Sequence, residues 1–342
     1  MVPKLPTRQL GKDGPHVTAL GYGCMGLSMF YGIPKPDEER LQLLDYIYSA
    51  GLTNWDTSDM YGDSEDLLGK WFAKTGKRDE IFLASKFAVW RDKDGQIILR
   101  NDPEYVKQAC DTSLKRLGVK TIDLYYVHRM DGVTPIEKTV QAMVELKNEG
   151  KIRYLGLSEC SSDTLRRACK VHHISAVQIE YSPYSLDIES PRIKLLETAR
   201  ELGVAVVAYS PLCRGFLGGK IRSPDDFPEG DNRKFMPRFS KENFYKNIQL
   251  LDVLNGIAEK KGVHVSSLTL AWLLAQGEDI IPIPGTTRTE NIDLNLKALS
   301  IKLTPEENAE IRAAAENAEV AGPRYAPSNT ANLFADTPPL EE

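Results

Sequence analysis

No stretch of the chain approaches the roughly 20 apolar residues that a membrane helix needs. Cysteine is sparse: five in 342 residues, at Cys24, Cys110, Cys160, Cys169 and Cys213. They are odd in number, scattered, and without a C-x-x-C pair. That pattern favours free thiols in a reducing compartment over a disulfide framework or a thiolate zinc site. A basic excess is missing too. The net charge is −5, and no run of like charges offers a nucleic-acid tail. Histidine numbers only five. Of these, His16, His264 and the pair His172-His173 lack metal-ligand spacing and read as surface or turn residues. The N-terminal Met1-Val2-Pro3-Lys4-Leu5-Pro6 has no apolar h-region, which predicts a cytoplasmic protein. Metal, nucleic acid and membrane are therefore not expected as partners.

What is present is an ordinary globular composition, 42% apolar and 27% charged. Strand-like and helix-like segments alternate with few breaks. Strands are predicted at 19–23, 53–58, 81–86, 122–128, 152–158, 176–181, 204–209 and 280–284. Helices are predicted near 38–50, 64–74, 103–117, 135–149, up to about Lys170, from Ser190-Pro191 to Leu202, and near 290–299. Asp102-Pro103-Glu104 reads as an N-cap with proline at the first helical position. Thr134-Pro135-Ile136-Glu137 reads as a capping box. Eight such units predict a (β/α)₈ TIM barrel in one domain over 1–342, with the barrel at about 19–300. Three segments fall outside the repeat. Thr7 to Thr18, around Gly11-Lys12-Asp13-Gly14, reads as a hairpin capping the barrel bottom. Cys213 to about Asn243, after the seventh strand, is a long Gly/Pro/Arg/Lys-rich loop of the length that lids and binding loops have. Residues 301–342 hold a helix from Pro305 to about Ala318 and a tail to Glu342 with Pro323, Pro327, Pro338 and Pro339.

Gly21-Tyr22-Gly23-Cys24-Met25-Gly26 matches G-x-G-x-x-G. In a Rossmann fold a helix opens at those glycines. Here Pro34 and Pro36 intervene and helical periodicity begins only near Glu38, so the glycines read as a loop approaching a ligand closely.

Asp56, Lys86 and His128 each close a predicted strand, and Tyr61 lies in the loop after Asp56. A strand interior rarely holds an ionisable group, because burying an unpaired charge is costly. Three such groups at successive strand ends predict one functional rim. Together the four suit proton delivery to a carbonyl that accepts a hydride. A tyrosine pKa of about 10 needs help near neutral pH, and a lysine ammonium favours the phenolate. Asp56 can hold Lys86 charged, and His128 can donate to the carbonyl oxygen as charge develops.

Asn54-Trp55-Asp56-Thr57-Ser58-Asp59-Met60-Tyr61-Gly62 resembles the signature of the aldo-keto reductase superfamily. Ala84-Ser85-Lys86 and Asp123-Leu124-Tyr125-Tyr126-Val127-His128 resemble its lysine and histidine motifs. Tyr209-Ser210-Pro211-Leu212 and Ile283-Pro284-Gly285-Thr286 resemble its cofactor motifs. The likeness runs from about Leu10 to Leu299. The loop after Leu212 and the Ala335-Asp336-Thr337-Pro338-Pro339 tail resemble most the fungal and bacterial branch sometimes called YakC-like reductases. This resemblance implies an NADPH-dependent aldehyde or ketone reductase with Tyr61 as proton donor, Asp56 and Lys86 tuning it, and His128 orienting the carbonyl.

The same resemblance distributes the cofactor. Gly23, Cys24, Met25 and Asp56 would line the nicotinamide side, Ser158 and Gln178 would hold its carboxamide, and Tyr209 would stack on its ring. Ser210, Pro211, Leu212, Arg214 and Lys220 would wrap the pyrophosphate. Gly285, Thr286, Arg288, Asn291 and Asn295 would bind the adenosine end. A helix N-terminus after Gly285 favours anions, and the forked Arg288 suits a 2′-phosphate, hence NADPH over NADH. Glu159 stands where asparagine is frequent. An ionised glutamate there accepts from the carboxamide NH₂ but cannot donate to its oxygen.

Trp90, Phe30, Tyr31 and Met130 fall in predicted rim loops and suggest an apolar substrate wall beside Tyr61 and His128. They favour aldehydes with aromatic or apolar bodies over highly charged ones. Two alternatives stay open: an NADPH-binding redox-sensing subunit with slow chemistry, and a TIM-barrel isomerase or hydrolase using the same carboxylate and lysine.

Overall fold

The computed structural model describes residues 2–91, 96–326 and 330–341, so Met1, Pro327 and Glu342 lie outside the described residues. β1 (Thr7–Gln9) and β2 (His16–Thr18) form an antiparallel hairpin. β3 (Tyr22–Gly23), β4 (Asn54–Asp56) and β5 (Phe82–Phe87) follow. A second hairpin then comes from β6 (Val89–Arg91) and β7 (Ile97–Leu99). The remaining strands are β8 (Ile122–Val127), β9 (Ile152–Ser158), β10 (Ala176–Glu180), β11 (Ala205–Tyr209) and β12 (Ile280–Pro282). One sheet runs β3-β4-β5-β8-β9-β10-β11-β12 with every neighbour parallel.

The sheet also meets itself. Gly21 N–H donates to Pro282 O at 2.9 Å and Gly23 N–H to Pro284 O at 3.3 Å, which closes the ring. The seam needs glycine. A Cβ on Gly23 would stand 2.9 Å from Ile283 O, and one on Gly285 would stand 2.6 Å from Gly23 O.

The helices are α1 (Met25–Ser28), α2 (Asp37–Ser49), α3 (Ser64–Thr75), α4 (Pro103–Leu117), α5 (Ile136–Asn148), α6 (Ser162–Val171) and α7 (Leu195–Leu202). Then come α8 (Lys241–Lys261), α9 (Val265–Ala275), α10 (Thr289–Lys297) and α11 (Pro305–Asn317). Asp102 caps α4 as its sequence predicts, its side chain accepting from Tyr105 N–H, and Gly118 closes the helix in the left-handed region.

Other expectations fail for identifiable reasons. The capping box at Thr134 does not form: the Thr134 hydroxyl donates to Asp131, and Pro135 stands at the N-cap without a side-chain bond. Helix α7 starts at Leu195, four residues beyond Pro191, after Lys194 takes a left-handed φ of 51°. The stretch 244–279, for which no element is predicted, holds most of α8 and the whole of α9. Helix α9 is apolar on almost every face because it is buried under α8, α10 and β12. His264 caps it by accepting from Ser266 N–H at 3.2 Å.

Two cores result. The outer one lies between strands and helices and includes Trp55, Trp71, Val127, Leu155 and Trp272. The inner one fills the barrel with Ala84, Leu124, Tyr126, Ala176, Ala205, Val207, Ile281 and Ile283, closed below by Leu10 and Val17 of the first hairpin. Gly156 makes room inside for Tyr126, whose ring a Cβ there would meet at 2.4 Å.

Gly285→Ala should strain the seam and destabilise the fold by about 1–3 kcal/mol, the scale of overpacking in a close-packed site. Urea denaturation reads it as a lower midpoint. An unchanged midpoint would show that the ring gives way at Gly23 without penalty.

Candidate active site

Strand alternation decides which side chains meet, since successive residues point to opposite faces. On β5, Ala84 belongs to the inner core, so Lys86 points inward above it; on β8, Leu124 and Tyr126 put His128 in the same phase. The same count from Ala176 directs Gln178 inward, and from Ala205 and Val207 it directs Tyr209 inward. Asp56, two residues past Asn54 and next to the outward Trp55, completes the layer. Tyr61 comes from a turn ahead of α3, in which Tyr61 N–H donates to Ser58 O and Ser64 N–H to Tyr61 O. Gly62 follows with φ 56°, close against Ser28.

The four expected catalytic residues therefore converge. Lys86 is 0% exposed. Its ammonium donates to Asp56 Oδ1 at 2.5 Å, to Thr57 O at 2.8 Å and to Tyr61 Oη at 3.3 Å. Asp56 Oδ2 accepts from Gln178 Nε2 at 2.7 Å. Burial pushes the Tyr61 hydroxyl upward, and the nearby Lys86 ammonium only partly offsets this. The net shift is thus opposite to the lowering expected from Lys86 alone. Burial opposes the charge of Lys86, yet Asp56 and Tyr61 more than compensate and its pKa is raised.

His128 meets Tyr61 edge-on, ring centroids 5.7 Å apart. Burial, with Arg129 and Lys86 nearby, holds its pKa well below the ordinary value, so the imidazole is neutral. Ser58 Oγ lies 3.1 Å from His128 Nδ1 and 3.1 Å from Asp59 Oδ1. Burial pushes the Asp59 carboxyl up to about 8, aided by Glu65 and opposed by the Ser58 hydroxyl, Met60 N–H and Arg116.

The expected cofactor residues fall in several places, some at the strand ends beside this centre and others away from it. Ser158 ends β9, with Arg129 Nη1 donating to its hydroxyl at 3.3 Å. Tyr209 ends β11 and donates to Glu159 Oε1 at 2.7 Å. Ser210, Pro211 and Leu212 continue from it, with Ser210 at φ 48°. The Cys24 thiol is fully buried in the outer core, while Met25 is half-buried at the start of α1. Arg214 is buried and gives Nη2 to Glu180 at 2.8 Å. Its Nη1 is buried without a partner among the described residues. Lys220 and Arg288 line a cavity of about 670 Å³ with Lys35, Gln42, Tyr46 and Thr287. Thr286 Oγ1 accepts from Asn291 Nδ2 at 3.1 Å, beside the start of α10, and Asn295 is buried on that helix.

Several neighbours carry no local sequence signal. Arg324 grips Glu159 with both guanidinium ends, at 3.1 and 3.3 Å, from 165 residues away. The Glu159 carboxylate is thereby held by Arg324 and Tyr209, with φ 50° at its own backbone. Ala335 N–H donates to Glu159 O and Ser161 N–H to Ala335 O, pinning the tail to the end of β9. Of the expected apolar wall, Trp90 lies on the β6–β7 hairpin and is half-buried, as is Phe30. Met130 is in the outer core, and Tyr31 bridges to Asp231 under the Arg233 guanidinium.

The chain matches the Aldo/keto reductase family over residues 19–316. It is 50% identical over 339 residues to the aldo-keto reductase yakc [NADP(+)] of Schizosaccharomyces pombe, covering 98% of this chain and 99% of that one. It is 51% identical over 343 residues to the aldo-keto reductase str7 of Strobilurus tenacellus, covering 99% of each. Its fold superposes on the thermostable aldo-keto reductase Tm1743, crystallised with the inhibitor epalrestat. There the TM-score is 0.73 and the identity 30%, over 91% of this chain and 100% of that one. The glycerol dehydrogenase AKR11B4 of Gluconobacter oxydans gives a TM-score of 0.81 at 26% identity, over 92% of this chain and 96% of that one. With its tetrad gathered at the strand ends and this match over nearly its whole length, the chain belongs to the aldo/keto reductase family.

Proposed function

We propose that the protein is an NADP-dependent oxidoreductase that reduces small aldehydes or ketones to alcohols, with Tyr61 as the proton donor. The buried Asp56–Lys86–Tyr61 chain beside a neutral His128 carries this reading. NADPH, when bound, supplies the hydride.

The tetrad does the rest. Burial keeps Tyr61 protonated at neutral pH, so its proton is retained until a carbonyl oxygen gains charge. The Lys86 ammonium, held charged by Asp56, then stabilises the phenolate left behind. His128 polarises the carbonyl only if Nε2 carries its proton. A protonated Asp59 can donate a hydrogen bond to Ser58 Oγ, whose hydroxyl then donates one to the bare Nδ1 of His128, so that the ring's single hydrogen sits on Nε2.

The residues present fit the cofactor. The unpartnered Arg214 Nη1 is a buried donor that a phosphate would satisfy. Lys220, Thr287 and Arg288 would meet the adenosine end in their shared cavity. Gly23, Met25, Ser158, Gln178 and Tyr209 would surround the nicotinamide. Unpaired cysteines throughout support a cytoplasmic location. An NADPH-oxidation screen over a carbonyl panel tests the proposal, and no turnover with any carbonyl would sink it.

Tyr61→Phe removes only the hydroxyl. NADPH should still bind while reduction falls by roughly two or more orders of magnitude, the scale of a lost general acid. Near wild-type kcat in that variant would remove Tyr61 from the mechanism.

A pH profile tests the Asp59 relay. Below about 8 the carboxyl is protonated. Above it, the carboxylate accepts the Ser58 hydroxyl hydrogen bond, so Ser58 Oγ must accept from His128 Nδ1–H and the neutral ring carries no hydrogen on Nε2. kcat/KM should therefore fall as pH rises through that value, and Asp59→Asn, a donor at every pH, should abolish the fall. The same descending limb in Asp59→Asn would assign it to another group.

Arg288→Ala should cost about 1.5–3 kcal/mol of NADPH binding, or roughly 10- to 150-fold in Kd, if the guanidinium reads the 2′-phosphate. NADH affinity should hardly change. Equal losses for both cofactors would show that Arg288 only supports its loop.

A further inference from the structure

Arg129 follows His128 directly, at the mouth of the barrel. Its Nη1 donates to His128 O at 2.7 Å and to Ser158 Oγ at 3.3 Å. Its other edge, Nε and Nη2, finds no partner among the described residues, and neither atom is sealed from solvent. No carboxylate among the described residues comes within 4.0 Å of it, although the neighbouring guanidiniums of Arg214, Arg238 and Arg324 all have one. A guanidinium held in a recess usually has an anionic partner, because its charge is costly to leave alone there.

The surroundings do not supply that anion. Burial works against the charge of Arg129, but Tyr209, Tyr325, Glu159 and Tyr61 together more than offset it and its pKa is raised. Glu159, though, is already gripped by Arg324, and its neighbour Glu180 by Arg214. Arg214, Arg238 and Arg324 thus share Glu159 and Glu180 between them, and Arg129, next to His128 in the chain, has no ion pair with either. The free Nε/Nη2 edge is the pair of parallel donors that a carboxylate or phosphate accepts in bidentate form.

We propose that Arg129 is a specificity-determining residue that binds an anionic group, a carboxylate or a phosphate, on the carbonyl substrate. The inference rests on the reductase reading of the same site and names its substrate class: an aldehyde or ketone with one anionic arm. A half-buried Trp90 and Phe30 remain compatible with an aromatic body joining the two ends.

The test measures kcat/KM with NADPH for 2-, 3- and 4-carboxybenzaldehyde, their methyl esters, and 4-formylphenyl phosphate. The wild type should prefer at least one anionic aldehyde over its neutral ester. Arg129→Met should cut that anion-to-ester ratio by roughly tenfold or more, the value of a charge-assisted bidentate contact. Arg129→Lys, a point charge without the fork, should fall between. Whichever anion loses more identifies the carboxylate or the phosphate as the better fit. A wild type that favours the neutral esters throughout overturns the proposal even if the variants fail to fold, and so does a ratio unchanged by Arg129→Met. No NADPH oxidation with any of these aldehydes would instead overturn the reductase reading itself.

Discussion

A lysine ammonium with no exposure to solvent is the constraint around which this molecule is organised. Lys86 sits inside a barrel whose lower layers are Ala, Leu, Val and Ile, where an unpaired charge would cost several kcal/mol. Asp56 on the neighbouring strand neutralises it, and Gln178 from across the barrel satisfies the second carboxylate oxygen. The Thr57 carbonyl takes another ammonium hydrogen, and Tyr61 is the remaining partner. Three of those four contacts are structural obligations of a buried ion pair. The fourth brings a tyrosine hydroxyl to a permanent cation, so the burial that threatens the fold also prepares the chemistry.

That arrangement depends on the closed ring. Asp56, Lys86 and His128 come from the ends of adjacent parallel strands, each two residues further along than its neighbour's partner: Asp56 stands opposite Ala84, two before Lys86, and Lys86 stands opposite Tyr126, two before His128. A slip of one residue would turn Lys86 into the outer core and Phe87 into the barrel. The price is carried above the strands. Ala88, Glu159 and Ser210 directly follow strands with φ of 128°, 50° and 48°, and Arg214 adds 54° a few residues later. Strained non-glycine backbone of this kind persists where surrounding contacts over-determine it. Here the contacts are the Glu159–Arg324 grip, the Tyr209 hydroxyl and the tail strand at Ala335.

The barrel and its tetrad were legible in the chain because both are written in local pattern. Strand periodicity, the Asp102-Pro103 start of α4 and the hairpin turn near Gly11 each need only a few consecutive residues. Thr134 misled because Asp131, three residues earlier, competes for its hydroxyl. The pair α8 and α9 escaped notice because α9 is buried nearly all round and so lacks the one-sided pattern that marks a surface helix. The C-terminal strap was invisible for a different reason. Arg324 and Glu159 are 165 residues apart, and nothing near either one announces the other.

Glu159 shows how such a distant pairing changes the meaning of a single residue. Viewed alone, a glutamate beside the expected carboxamide position is an acceptor in search of a donor. In the folded chain its donors are already Arg324 and Tyr209, so it acts on the site by fixing the tyrosine hydroxyl and the strap together. The carboxamide would then rely on Ser158 and Gln178, and both of these have second obligations, to Arg129 and to Asp56. The residues expected to hold the cofactor, the buried Asp56–Lys86 pair and the edge of Arg129 that has no partner among the described residues thus share hydrogen-bonding groups. A change at any one of them moves the others, and effects of substitutions across this set should be coupled and not additive.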